Sequence, residues 1–289
     1  MQDPHDASPS PASVDAASVL LLRDGPLGLE VFMIQRHEKS GGYGGAYVFP
    51  GGKVDADDNS DDLQQHLDQP PEALHAALHE RDQTARAAAG IYIAAIREVF
   101  EECGVLLAQG GAGAPAPGAA PLRQVLRSLG LKLDTRQLLP WSRWVTPVNS
   151  MSSPARRFDT RFFVARVPAH QAARHDNHEA INSQWLTPRA ALESYWRGDI
   201  TLVPPQLMSL SHLASHGSAA SVLREASARP PHVVRPAVTE VDGLRTMAYP
   251  GDPLNPDTNR VMPGPTRLVV RNGRAEPLLG FEGLFGPHL

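Results

Sequence analysis

Arg97-Glu98-Val99-Phe100-Glu101-Glu102-Cys103-Gly104-Val105 puts three carboxylates at positions i, i+3 and i+4, which is one face of an α-helix. Ile96, Val99 and Phe100 can turn toward a core, and Gly104 is a natural helix stop. Three acids on one face repel one another unless a cation offsets them. Hard divalent ions with oxygen ligands do so, and Mg²⁺ usually does it beside a substrate phosphate. A solvated acidic face is the plainer alternative, so the surroundings of the helix decide.

Upstream, Ala16 to Leu22 and Leu29 to Gln35 are apolar runs around Asp24-Gly25-Pro26-Leu27-Gly28, which predicts a β-hairpin with a longer loop. Gly41 to Gly45 reads as a flexible loop, and Tyr47-Val48-Phe49 as a short strand ended by Pro50-Gly51-Gly52. The acidic stretch Asp55 to Asp62 reads as surface loop. Pro70-Pro71-Glu72 predicts a helix to about Arg81, with proline in the first turn. The acidic helix is predicted over Thr84 to Glu102, with Gly90 as a break or a point of close packing.

Downstream, Gln109 to Pro121 is rich in Gly, Ala and Pro and reads as a flexible connection. An amphipathic helix is predicted over Pro121 to Leu129, and strands over Trp141 to Pro147, Arg157 to Val167 and Ile181 to Leu186. Helices follow over Pro188 to Arg197, capped by Thr187, and over Leu202 to His216. Beyond His216 the character changes. His232 to Val241, Leu244 to Ala248 and Arg267 to Leu279 are strand-like, and Asn272-Gly273 is a hairpin signal.

Composition narrows the function. A net charge of −4 over 289 residues leaves no broad basic field for nucleic acid. No apolar run has the roughly 18 to 20 residues that span a bilayer, so no membrane partner is expected. Residues 1–14 read as a disordered tail without the features of a signal peptide, and the chain is expected in the cytoplasm. Cys103 is the only cysteine, so no disulfide forms within the chain. Within an acidic helix it reads as a small core residue.

At this point the sequence resembles a known family. Arg97 to Val105 matches the second half of the Nudix box, R-E-U-x-E-E-x-G-U with U a bulky aliphatic, at every specified position. The first half, G-x5-E, is present as Gly52 and Asp58, an acid one methylene shorter. The usual box has seven residues between that acid and the arginine, whereas here residues 59–96 intervene. The box is split by an insertion. The resemblance implies an α/β/α Nudix sandwich with a mixed sheet over residues 15–216, interrupted by an insertion at 59–90. Residues 217–289 would be a β-rich extension.

The resemblance also implies roles. Gly51 would offer a carbonyl to Mg²⁺ or Mn²⁺, with Glu98, Glu101 and Glu102 as carboxylate ligands, and Arg97 would hold the box carboxylates in register. Glu179, six residues before Trp185, is the candidate for a further catalytic acid from a loop. The sequence leaves open whether Glu98, Glu101 or Glu179 takes a proton from water. Gln35-Arg36 and Gly45 to Gly52 partly match the motif of coenzyme A-cleaving Nudix enzymes, with His37 and Gly41 departing from it.

The split box, Trp141 to Pro147, Arg157 to Phe163 and Trp185 to Pro188 resemble the long-insert Nudix proteins that include peroxisomal acyl-coenzyme A diphosphatases. That resemblance implies a small-molecule nucleotide substrate, coenzyme A or acyl-CoA, with Arg36, Gly52 and Arg157 in its binding. Trp141 and Trp144 are read as core. The alternatives are hydrolysis of ADP-ribose, a nucleotide sugar or a dinucleoside polyphosphate, or nucleotide binding without hydrolysis. The sequence leaves homodimerisation open.

Overall fold

The computed structural model describes residues 13–38, 44–110, 120–147, 157–176 and 180–286. Most of the N-terminal tail, most of the Gly41 to Gly45 loop and most of the Gln109 to Pro121 connection lie outside them.

The chain opens with a hairpin of β1 (Ser13–Gly25) and β2 (Gly28–Arg36). Gly25 pairs with Gly28, so the turn is Pro26-Leu27 alone and tighter than predicted. Two short strands follow, β3 (Tyr47–Val48) and β4 (Gly51–Lys53). The inserted residues are helical: a 3₁₀ turn at Ala56–Asn59, then α1 (Asp61–Gln64) and α2 (Pro71–Leu78). The surface-loop reading of Asp55 to Asp62 is therefore corrected. Asp58 is fully buried, and Leu63, Leu67, Leu74 and Leu78 carry the insertion into the core.

The acidic helix is α3 (Ala85–Cys103), begun by the Thr84 hydroxyl, which accepts from the Ala87 N–H at 3.1 Å. Gly104 ends it in the left-handed region at φ 67°, a conformation that disfavours other residues. Gly90 does not break α3. A Cβ there would lie 2.2 Å from Asn59 Oδ1, so its bare backbone is what lets the insertion pack against the helix.

Next come β5 (Ala108–Gln109), α4 (Leu122–Leu129), β6 (Lys132–Leu133), β7 (Leu139–Val145), β8 (Arg157–Arg166) and β9 (Ala180–Leu186). They are followed by α5 (Pro188–Arg197), α6 (Pro204–Leu213) and α7 (Ala219–Ala228). The predictions did not include α7. The chain closes with β10 (His232–Val234), β11 (Ala237–Val241), β12 (Leu244–Ala248), β13 (Arg267–Arg271) and β14 (Arg274–Pro277).

The main sheet is mixed, in the order β10-β7-β8-β1-β2-β3, with β4 paired to β1 and β9 to β2. The β1–β8 and β10–β7 pairs are parallel, and the others are antiparallel. Strand alternation on β1 sends side chains to both faces. Ala17, Val19 and Leu21 pack with α3 and the insertion, while Leu20 and Leu22 pack with α5, α6 and α7. The result is a sheet between helical layers.

The strand predicted over His232 to Val241 divides at Arg235-Pro236. Proline cannot donate to a ladder, and there β10 leaves the main sheet edge while β11 begins a second, four-stranded antiparallel sheet in the order β11-β12-β13-β14. Asn272-Gly273 turns β13 into β14. Among the described residues, no helix is long and apolar enough to cross a membrane.

Candidate active site

The Gly51-Gly52 turn and the C-terminal turns of α3 meet because β4 pairs with the start of β1, Ser18 opposite Gly51, and α3 packs across the same strand. The Gly51 N–H donates to Glu102 Oε2 at 2.8 Å. A Cβ on Gly52 would lie 2.4 Å from Glu98 Oε1. Both glycines thus stand directly against box glutamates.

Arg97 organises the rest. Its Nε and one terminal nitrogen each donate to Asp58 at 2.9 Å, a two-pronged contact with a carboxylate that is itself fully buried. Its other terminal nitrogen reaches Glu98 Oε1 at 2.8 Å and Glu101 Oε2 at 3.2 Å, and the Lys53 carbonyl accepts at 3.1 Å from the terminal nitrogen that serves Asp58. Burial opposes the Arg97 charge, but its bonds to Asp58 and Glu98 outweigh that and hold it firmly protonated. Asp58 is fixed in turn by the Asp55 N–H at 2.8 Å. The sequence marks Asp58 as the first box acid; its role as the arginine's anchor appears only in three dimensions, where the insertion folds back.

Burial pushes the Glu101 carboxyl above its ordinary value, and Arg97 only partly offsets this. Its side chain is still 37% exposed, against 13% for Glu98, so Glu101 is the box acid most open to solvent of the two that Arg97 holds. Cys103 is buried, and burial, reinforced by Glu102, raises its thiol well above the ordinary range. It is a packing residue.

The donor set suits a hard divalent cation. Glu102 stands on the Gly51 N–H and Glu98 against Gly52, while Arg97 holds Glu98 and Glu101 and sits among more carboxylates than one guanidinium can neutralise. Gly52 leaves the space that a side chain would fill. Oxygen ligands in this excess of negative charge fit Mg²⁺ or Mn²⁺ far better than a soft metal.

Arg36, Gly51, Gly52 and Lys53 line a cleft of about 930 Å³ that also runs along Trp144 to Pro147 and reaches the second sheet. Arg157 begins β8, and its Nε donates to the Thr146 carbonyl at 3.1 Å, so it props the cleft wall from behind. Trp141 and Trp144 are buried, as read from the sequence. Glu179 lies outside the described residues. The walls supplied by β11 to β14 carry no sequence motif and were not foreseen.

Over residues 9–213 the sequence matches the family of the NUDT19 Nudix domain. The chain belongs to the Nudix hydrolases. Among curated relatives of this Nudix hydrolase is the acyl-coenzyme A diphosphatase NUDT19 of Gallus gallus, 29% identical over 84% of this chain and 80% of the relative. The Xenopus laevis protein of the same name is 26% identical over 89% and 79%, and the human one 31% identical over 66% and 62%. A crystal structure of a Nudix hydrolase from Alicyclobacillus acidocaldarius superposes with a TM-score of 0.59, at 24% identity over 76% of this chain and 97% of the other, which supports the fold.

Proposed function

We propose that this Nudix hydrolase cleaves the diphosphate of coenzyme A or acyl-CoA in a Mg²⁺- or Mn²⁺-dependent reaction, giving 3′,5′-ADP and (acyl-)4′-phosphopantetheine. The observation that carries the chemistry is that Gly51 and Gly52, in the wall of a cleft of about 930 Å³, stand against Glu102 and Glu98, with Arg97 holding Glu98 and Glu101 beside them. The substrate class rests on the acyl-coenzyme A diphosphatases among the relatives.

Glu98, Glu101, Glu102 and the Gly51 carbonyl would hold the divalent cation, which would supply neutralisation of diphosphate oxygens and a lowered pKa of water. The residues do the rest. Arg97, anchored on Asp58, fixes Glu98 and Glu101 so that their oxygens need no reorganisation when substrate arrives. Glu101, the more open of the two acids that Arg97 holds, is suited to take the proton from the attacking water. Arg36 and Lys53 stand in the cleft wall beside the two glycines, where cations favour an anionic phosphate.

Product analysis with coenzyme A, acetyl-CoA, ADP-ribose and NADH at equal Mg²⁺ tests this reading. The expected products are 3′,5′-ADP from the two CoA compounds, with chelation of the metal stopping the reaction. Preferential release of AMP from ADP-ribose, with CoA left intact, would instead identify an ADP-ribose diphosphatase.

A further inference from the structure

The cleft is larger and more apolar than a diphosphate site needs. Away from Gly51-Gly52 it lies between the main sheet and the C-terminal sheet, walled by Phe162, Leu202, Val238, Met247, Tyr249 and Val270. Among the buried polar atoms that stand in it without an intramolecular hydrogen bond, a hydroxyl and a carboxamide oxygen are uncharged. These are the Tyr249 hydroxyl, on a residue 1% exposed, and the Gln206 side-chain oxygen, on a residue 6% exposed. Burying such groups unpaired is costly, and both line a ligand-sized space.

The chemistry of the pair is specific. A hydroxyl can donate to a carbonyl, and a carboxamide oxygen accepts from an N–H. Together they suit an uncharged amide held among apolar walls. Arg274, at the β14 edge of this part, is committed to Glu276 at 2.6 Å and to the Trp196 carbonyl. A stacked base is disfavoured at Trp144, which packs edge-on against Tyr249 and donates its N–H to Ser142.

We propose that this part of the cleft is the subsite for the acylated pantetheine arm. Tyr249 and Gln206 hydrogen-bond its amides, and Val238, Met247 and Val270 of the C-terminal sheet enclose the acyl chain. This rests on the coenzyme A reading and adds to it that the C-terminal sheet sets acyl-chain preference.

The test measures kcat and KM of the full-length protein for coenzyme A, acetyl-CoA, octanoyl-CoA and lauroyl-CoA with Mg²⁺. In the unaltered protein kcat/KM should rise from acetyl to octanoyl, by at most about fourfold per methylene enclosed. Val270→Trp, which fills the cleft, should lower the octanoyl-to-CoA ratio of kcat/KM at least tenfold. Tyr249→Phe should raise KM about three- to tenfold while kcat stays within twofold, the loss expected for one neutral hydrogen bond. If Val270→Trp does not fold, Val238→Phe narrows the same wall. Chain-length independence, or an unchanged ratio in the narrowed variant, would overturn the subsite while coenzyme A cleavage stands. Failure to cleave any CoA compound would remove both.

Discussion

Gly51 and Gly52 are adjacent, yet replacing each with alanine should have opposite consequences. At Gly51 the backbone sits at φ 152°, and a Cβ would lie 2.3 Å from the Ala17 carbonyl oxygen and 2.6 Å from Ser18 Cα. Both obstacles are backbone and cannot step aside. Gly51→Ala should therefore cost about 2–4 kcal/mol of folding stability, combining strain with overpacking. At Gly52 the obstacle is the carboxylate of Glu98, the far end of a side chain. Gly52→Ala should leave stability within about 1 kcal/mol but displace Glu98, lowering kcat by roughly a hundredfold, as misplacement by an ångström does. Urea unfolding and single-turnover rates on both variants check this. A Gly52→Ala protein of normal activity would show that Glu98 need not occupy its present position.

At the scale of elements, α6, α7 and β10 are joined by a histidine cluster. His212 and His216 donate to the two oxygens of Glu225 at 3.0 Å each, Arg229 reaches the same carboxylate at 2.8 Å, and His232 faces His212. Burial, with Arg229 and His212 nearby, pulls His232 down to about 3. Burial alone would raise Glu225, but hydrogen bonds from His212, His216 and Arg229 hold it well below the usual carboxylate range. An unfolded histidine titrates near 6.5, so the folded chain refuses a proton that the unfolded chain accepts. Stability from His232 is fully present above about pH 6.5 and is lost as pH falls toward 3. Glu225 acts in the same direction at lower pH. Urea unfolding at pH 7.5 and 5.0 should differ by about 1–2 kcal/mol on account of His232, and His232→Gln should remove that share. An unchanged pH slope in the variant would contradict the assignment.

The elements also show what could be read from the sequence. The hairpin, α3 with its Gly104 stop, and α5 with its Thr187 cap are all local signals, and they appear where periodicity and capping place them. Helix α7 carried a signal too, since the Ser218 hydroxyl accepts from the Ser221 N–H, but its stretch is short and rich in Ala and Ser. The burial of Asp58 and the cleft wall of β11 to β14 are different in kind. They depend on which distant segments meet, and no spacing records that. The box acids could be listed from sequence, whereas their anchor and the far end of their cleft could not.

Across the whole molecule, the C-terminal sheet is bound to the Nudix fold as part of one core. Met247, Tyr249, Leu268 and Leu284 share a buried cluster with Leu20, Trp144, Phe162 and Leu207 of the sandwich. The Tyr195 hydroxyl of α5 accepts from the Ala275 N–H at 3.0 Å and donates to its carbonyl at 2.9 Å, and the Arg274 guanidinium lies 4.7 Å over the Trp196 ring. An attached module would present a polar, wet interface and could unfold alone. Here the boundary is apolar and interlocked, and opening it would expose both sides at once. The full chain should therefore unfold in urea as a single transition, with the near-ultraviolet circular dichroism of its packed aromatics, Trp144 and Tyr249 at the boundary among them, coinciding with the far-ultraviolet loss of helix. If the near-ultraviolet signal were lost at lower urea while α3 and the box stayed folded, the sheet would be a separable cover. The cleft would then be a site that opens by local unfolding, a different device from the rigid two-sheet wall that these contacts describe.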